Sequence, residues 1–433
     1  MKTRPLTGNL LQSGVVFAAI SFITAMGNMG FNAVMTRHLP GAGQYSNANS
    51  ALNGLMPLLG LIPSIATFTV THFIAHFIAV GDHARLQGLL GGCRRLLFRL
   101  TIVGSVAAVV AVEPLRRFFG YTQSLMLVTL ACTLISLWAS LATALCQGLA
   151  WFKRLALIGL LGMLLRVVCG WFITLKWPCP ETAVLASTAA LAANLILLFW
   201  REEMSPRGEA VSPWDREFVY YLGICAAVVT GNYLFTQGDL LIAQKYFPGS
   251  KNDAYGCAER LAVALWFGVA PLLTVLFTSR SGARSSHAAA EQLKLLALYA
   301  GALLLGAGVL ISLRGIWVRI LAGGFSPQVQ AEAQAMVCPL AVTIVFVALL
   351  QPLAYWSLAS RWWKNAFLYG LLGLGYWLTL LARGHTPEGL LQTMPVAAGI
   401  AFGVLFAAWW ITLRRHVPAP GPIHDGAPAA KPE

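Results

Sequence analysis

Residues Gly27 to Tyr45 read GNMGFNAVMTRHLPGAGQY, and residues Gly231 to Tyr255 read GNYLFTQGDLLIAQKYFPGSKNDAY. Each stretch carries a Gly-Asn pair inside an apolar run and a basic residue where that run ends, Arg37 or Lys245. A Pro-Gly turn follows, and then a tyrosine, Tyr45 or Tyr255, opens the next run. Pro63 and Pro271 interrupt those next runs at similar distances. Parallel repeats of an even number of helices give two bundles related by an axis along the membrane normal, with the substrate between them.

The rest of the chain supplies the helices for such an arrangement. Of its 433 residues 58% are hydrophobic and 11% charged, against roughly 45–50% and about 25% in soluble proteins. A spanning helix needs about 20 mostly apolar residues, and residues 8–35, 121–152 and 389–413 pass that length without a charged side chain. The run after Lys2 and Arg4 is too long for a signal peptide and is read as a retained first helix. The expected fold is an all-α polytopic membrane protein of about twelve spans, in two pseudo-symmetric six-helix bundles around a central cavity. The first bundle covers 1–200 and the second 216–413. A charged, proline-bearing cytoplasmic linker, 201–215, joins them, and a disordered cytoplasmic tail, 414–433, follows.

A formal charge of +14 needs no nucleic acid as partner. With both termini in the cytoplasm, the larger part of the Lys and Arg residues lies on the cytoplasmic side of a bacterial inner membrane, as the positive-inside rule requires. Anionic phospholipids are the expected partners of that charge. The eight cysteines form no CxxC pair, and His72 and His76 have the i, i+4 spacing of metal ligands but no third ligand, so neither metal nor cofactor is expected. Phosphate-binding loops, nucleophile elbows and zinc-protease motifs are absent, so the chain reads as no enzyme.

Function is written in the polar residues of the apolar layer, which cost free energy unless they face protein or water. Thr24, Asn28, Asn32 and Thr36 repeat every four residues and share one helix face. In the second repeat Asn232, Thr236 and Asp239 follow the same device. These side chains either join helices to one another or line a shared cavity. Arg166 falls mid-helix in GLLGMLLRVVCGWF, and Glu259 and Arg260 lie about two turns into the eighth span. Two readings are open. Asp239 with Arg260, or Glu259 with Arg166, would form structural ion pairs. Alternatively Arg37, Arg166 and Arg260 would bind a diphosphate through guanidinium forks, with Asp239 and Glu259 coupling transport to an ion.

The segments TRHLPGAGQYSNANSALNGL, LCQGLAWFKRLALIGLLGMLLR and FTQGDLLIAQKYFPGSKNDAYGCAERLAV resemble the polysaccharide-exporter (Wzx-like) branch of the multidrug/oligosaccharidyl-lipid/polysaccharide (MOP) superfamily. The matching positions are Arg37, Leu39 and Tyr45; Gln147, Gly148, Phe152, Leu155 and Arg166; and Asp239 and Tyr255. The resemblance spans roughly the first two thirds of the chain. It implies a V-shaped pair of bundles that flips an undecaprenyl-diphosphate-linked oligosaccharide to the periplasmic leaflet, alongside the polymerase and glycosyltransferases of one pathway. A cation-coupled small-molecule exporter of the same superfamily, using Asp239, Glu259, Trp266 and Phe267, is the second expectation. A non-transporting subunit of a polysaccharide synthase or export complex is the third.

Overall fold

The computed structural model describes residues 10–39, 41–199, 216–247, 249–281 and 288–416. The linker 201–215 and the tail beyond His416 lie outside the described residues. The first half comprises α1 (Leu10–His38), α2 (Gln44–Ser50), a π-helical turn (Ala51–Leu55), α3 (Met56–Leu59), α4 (Leu61–Val80), α5 (His83–Phe119), α6 (Gln123–Gly148), α7 (Phe152–Lys176) and α8 (Pro180–Phe199). The second comprises α9 (Arg216–Thr236), α10 (Gly238–Tyr246), α11 (Gly249–Ser281), α12 (Ala288–Ser312), α13 (Arg314–Leu321), α14 (Pro327–Ala359), α15 (Trp363–Arg383) and α16 (Pro387–His416).

Among the described residues nine helices are long and apolar enough to cross a membrane, and ten if α12 and α13, bent by 77°, count as one. α1 and α11, of 29 and 33 residues, are two further long helices, at the positions where the sequence reading expects the first and eighth spans. The second span is divided into α2, the π turn, α3 and α4, and the seventh into α9 and α10.

The packing repeats as the sequence does. In the first half α1 packs on α7, α7 on α8, α8 on α6, α6 on α4, and α5 on α6. The second half has the equivalent set: α9 on α15, α15 on α16, α16 on α14, α14 on α11, and α12 on α14. The halves meet through α1 against α11 and α4 against α9, two contacts that the exchange of one repeat for the other interconverts.

Small residues set the closest approaches, as expected where apolar lipid offers no competing hydrophobic drive and packing decides association. A Cβ on Gly373 would stand 2.6 Å from the Cα of Gly231, and one on Gly231 3.0 Å from the Cα of Gly370. α9 and α15 therefore touch backbone to backbone at the Gly-Asn pair. In the first half the equivalent Gly27 meets the Met163 side chain of α7.

The two ends of the bundle are sealed by different means. At the end where α1 finishes, Asp253 of α11 accepts the amides of Gly43 (2.7 Å) and Ser46 (2.8 Å), capping α2 from the other half. Gln244 of α10 donates to Asn47 (2.7 Å) and accepts from Ser50 (2.9 Å) and Asn252 (2.9 Å). Tyr233 donates to the carbonyl of Gly54 in the π turn, 3.0 Å away. At the opposite end α4 meets α9 through rings: His72 stacks on Tyr221 with centroids 4.3 Å apart, and Phe73 lies against Phe218. Among the described residues both ring nitrogens of His72 are buried without a hydrogen-bond partner, which makes this seal costly to keep dry.

The Asp253 cap gives a first expected result. Asp253→Ala removes two charge-assisted bonds between the halves, each contributing about 1.5–3 kcal/mol. Spin labels on the first turns of α2 and α11 should then report a broader, longer distance distribution than in the wild-type chain. An unchanged distribution would show that the cap holds nothing together.

Candidate functional site

The polar seam begins at Arg166, in the middle of α7. Its Nε donates to Ser187 Oγ of α8 (2.9 Å), and its Nη1 donates to Asn28 Oδ1 of α1 (3.0 Å). The guanidinium carbon lies 4.2 Å from the centroid of Phe31, an approach that Gly170 opens, because a Cβ there would meet the Phe31 ring. All these contacts are neutral, and among the described residues no carboxylate pairs with Arg166. A guanidinium presents five N–H donors, so the pairing leaves donors and the full charge available.

Asn28 continues the seam along its helix. Asn32 donates from Nδ2 to the Asn28 carbonyl (2.8 Å), and its Oδ1 faces the Tyr45 hydroxyl at 3.5 Å. Thr36 turns away and bonds the carbonyls of Ala33 (3.0 Å) and of Leu321 in α13. Arg37 is exposed, with Nη2 3.4 Å from the Ile320 carbonyl. It sits at the hydrogen-bonded end where α1 finishes, away from the contacts of Arg166 and Arg260.

The carboxylates pair differently from either expected ion pair. Glu259 and Arg260, adjacent on α11 and only 2% and 6% exposed, bind each other through two guanidinium nitrogens. Asp239 accepts a hydrogen bond from Tyr255 instead. The break between α9 and α10, at Gln237 with φ −145° and ψ −12°, places Asp239 in the first turn of α10, where its charge meets the positive helix end. Arg260 lies within electrostatic reach of Asp239 and of Arg166. The seam thus joins Arg166 to Asn28 and Ser187, pairs Glu259 with Arg260 and Asp239 with Tyr255, and leaves Arg37 out.

The second half builds a neutral counterpart. Asn232, the repeat of Asn28, accepts from Gln351 of α14 (2.7 Å) and from the Tyr369 hydroxyl of α15 (3.3 Å). Trp266 of α11 donates to the oxygen of Gln351. Tyr369 of α15 bonds Asn232 as Arg166 of α7 bonds Asn28, so the partner of the repeated asparagine is a cation in one half and a phenol in the other. Thr236 closes on its own helix through the Asn232 carbonyl, 2.7 Å away. Gln351, Tyr369, Ser187 and Phe31 are members of the site that the sequence reading passed over. An isolated amide inside VFVALLQPLAYW was the available signal for Gln351.

His72 and His76 gather no further ligand, and no group of three His, Cys, Asp or Glu residues able to hold a metal occurs among the described residues.

No family model matches the chain, and no curated protein matches it. Solved structures do. The chain is similar to an outward-facing multidrug resistance MATE family transporter of the MOP superfamily (TM-score 0.73, 15% identity, 96% of this chain and 99% of that chain). It is similar to the Vibrio cholerae MATE transporter VcmN in its bent form (TM-score 0.65, 14% identity, 94% and 98%). It is also similar to a MOP superfamily transporter from Pyrococcus furiosus Vc1 (DSM3638), described as having a binding pocket of reverse polarity (TM-score 0.70, 14% identity, 95% and 99%). The fold is therefore that of the MATE transporters of the MOP superfamily, in a polytopic helical membrane protein.

Proposed function

We propose that this chain is an alternating-access transporter of a bacterial inner membrane, with both termini cytoplasmic, that moves an anionic amphiphile to the periplasmic leaflet. The substrate class that fits is an undecaprenyl-diphosphate-linked oligosaccharide. The observation that carries this reading is Arg166, a permanently charged fork in the middle of a membrane helix, held by neutral groups and left without a carboxylate. Arginine at bilayer depth costs at least about 2.5–3.5 kcal/mol even on the lower scales, so a site that keeps it unpaired reserves it for an anion. Glu259 already pairs with Arg260, so the second guanidinium is not a free ligand. The unequal seals support alternating access: the stack of His72 on Tyr221 opens at lower cost than the hydrogen-bonded end, because opening hydrates groups that are unpartnered when closed.

A second reading, a cation-coupled small-molecule exporter, is favoured by Asp239, a buried carboxylate whose side-chain partner is a phenol, and by the fold shared with multidrug transporters. Cells separate the two. With the lipid-linked substrate, deletion accumulates the undecaprenyl-linked precursor on the cytoplasmic side, and expression confers no drug resistance. Resistance gained on expression and lost in Asp239→Asn, with normal surface glycan after deletion, would establish the exporter instead. Full glycan assembly with Arg166 and Arg260 both replaced would point to a non-transporting subunit of the synthase complex, which polymerase and glycosyltransferases would then share.

A further inference from the structure

A groove of about 560 Å³ runs between α15 and α16 on the outer face of the second half. Leu371, Leu372, Gly375 and Thr379 form its wall on α15, and Val396 and Ile400 its wall on α16. Leu371, Val396 and Ile400 are 50%, 61% and 63% exposed, so this face meets lipid. The floor is Tyr376, buried with its ring 5.0 Å from that of Phe235. A Cβ on Gly375 would have no neighbour within 4 Å, so the depth of the groove there is open space.

The polar atoms of the walls are already satisfied. Thr379 donates to the Gly375 carbonyl (2.8 Å) and Thr393 to the Gly389 carbonyl (2.7 Å). The Tyr376 hydroxyl of the floor is buried without a hydrogen-bond partner among the described residues, so an apolar occupant breaks no hydrogen bond of the threonine walls or of the floor. At one end the chemistry changes. Arg383 and Gln392, both exposed, line the mouth. No carboxylate lines the groove, and among the described residues Arg383 forms no ion pair.

The dimensions choose the occupant. α15 has 21 residues, about 31 Å at 1.5 Å per residue, which matches a hydrocarbon layer of about 30 Å and puts its last residue, Arg383, at the interface. Leu371 lies about 18 Å deeper along the helix, so the groove runs roughly the depth of one leaflet. We propose that this groove binds one anionic diacyl phospholipid, an acyl chain lying against Gly375 and Tyr376 and the phosphate meeting Arg383. This site is independent of the transport substrate and of Arg166.

The test is native mass spectrometry of the purified full chain, supplied with phosphatidylglycerol or phosphatidylethanolamine of identical acyl chains. The wild-type chain should retain phosphatidylglycerol about fivefold better, the factor expected of one basic residue at an anionic lipid surface. Arg383→Gln should abolish that preference while leaving phosphatidylethanolamine retention unchanged, and Arg383→Lys should restore it. Gly375→Phe, which fills the groove, should lower retention of both lipids, with wild-type thermal unfolding confirming that each variant is folded. Equal retention by the wild-type chain and Gly375→Phe would overturn the proposal. So would displacement of the bound lipid by inorganic phosphate alone, or a dimer forming through this face in place of lipid binding.

Discussion

Arg166→Gln is expected to lower transport of the anionic substrate by about 10- to 100-fold, the range for losing one charge-assisted hydrogen bond of about 1.5–3 kcal/mol, while leaving the protein as stable as the wild type or more so. The two effects have opposite signs for one reason. Arg166 contacts Ser187, Asn28 and the Phe31 ring, none of which compensates a full charge in a low-dielectric layer. Glutamine keeps a polar side chain that can reach Asn28 and removes the uncompensated charge, so the resting fold gains and the anion loses its ligand. Arg166→Lys should fail almost as badly, since an ammonium cannot hold the Ser187 and Asn28 oxygens together as a planar fork does. Thermal unfolding and substrate translocation, measured on the same preparation, check both halves of the expectation. A variant that unfolds earlier yet transports normally would make Arg166 a structural residue.

Glu259→Gln should have the largest effect on stability, because it leaves Arg260, 6% exposed, buried beside a neutral amide. Breaking a buried ion pair from one side costs about 3–5 kcal/mol. Asp239 lies within electrostatic reach of Arg260, which places the expected loss toward the lower end of that range. The double variant Glu259→Gln with Arg260→Met removes the orphaned charge and should recover most of the loss, as replacement of whole buried pairs by apolar side chains often does. Unfolding temperatures of the two single variants and the double variant in one detergent decide the matter. A Glu259→Gln variant as stable as wild type would mean that Asp239, not Glu259, is the principal counter-ion of Arg260.

The helices and the repeat were legible because both are local. Apolar run length reveals a span, and the Gly-Asn, Pro-Gly and Tyr landmarks recur in order, so the helical membrane fold and the relation between the halves could be read without coordinates. Arg166 was legible too, as a cation in an otherwise apolar run. Its partners were not. Ser187 lies in ASTAALAAN, where a serine looks like any other small packing residue, and only the packing of α7 on α8 brings it to the guanidinium. The carboxylates misled for a related reason. Spacing along a helix places Glu259 and Arg260 on different radial directions, yet their long side chains fold back on one another in the buried interior. The π turn at Ala51–Leu55 and the kink at Gln237 escaped notice, since neither contains a proline, whereas the break at Gly60 lies beside Pro63, which the sequence marks.

The three-arginine diphosphate site is narrower in the structure than on paper. Arg37 belongs to the hydrogen-bonded end and Arg260 to Glu259, so the proposed anion site rests on Arg166 with Asn28, Asn32 and Ser187 around it. Asn232, Gln351 and Tyr369 offer the neutral donors and acceptors that a sugar hydroxyl needs. A diphosphate on the first half and its saccharide on the second is the arrangement this asymmetry supports.

Translocation in proteoliposomes tests that account most directly, using the purified chain with an undecaprenyl-diphosphate-linked saccharide, the same saccharide on a neutral lipid, and a lipophilic cation under a sodium or proton gradient. The account predicts protein-dependent movement of the diphosphate lipid, little movement of the neutral one, and none of the cation. Gradient-driven movement of the cation with the diphosphate lipid left in place would contradict it.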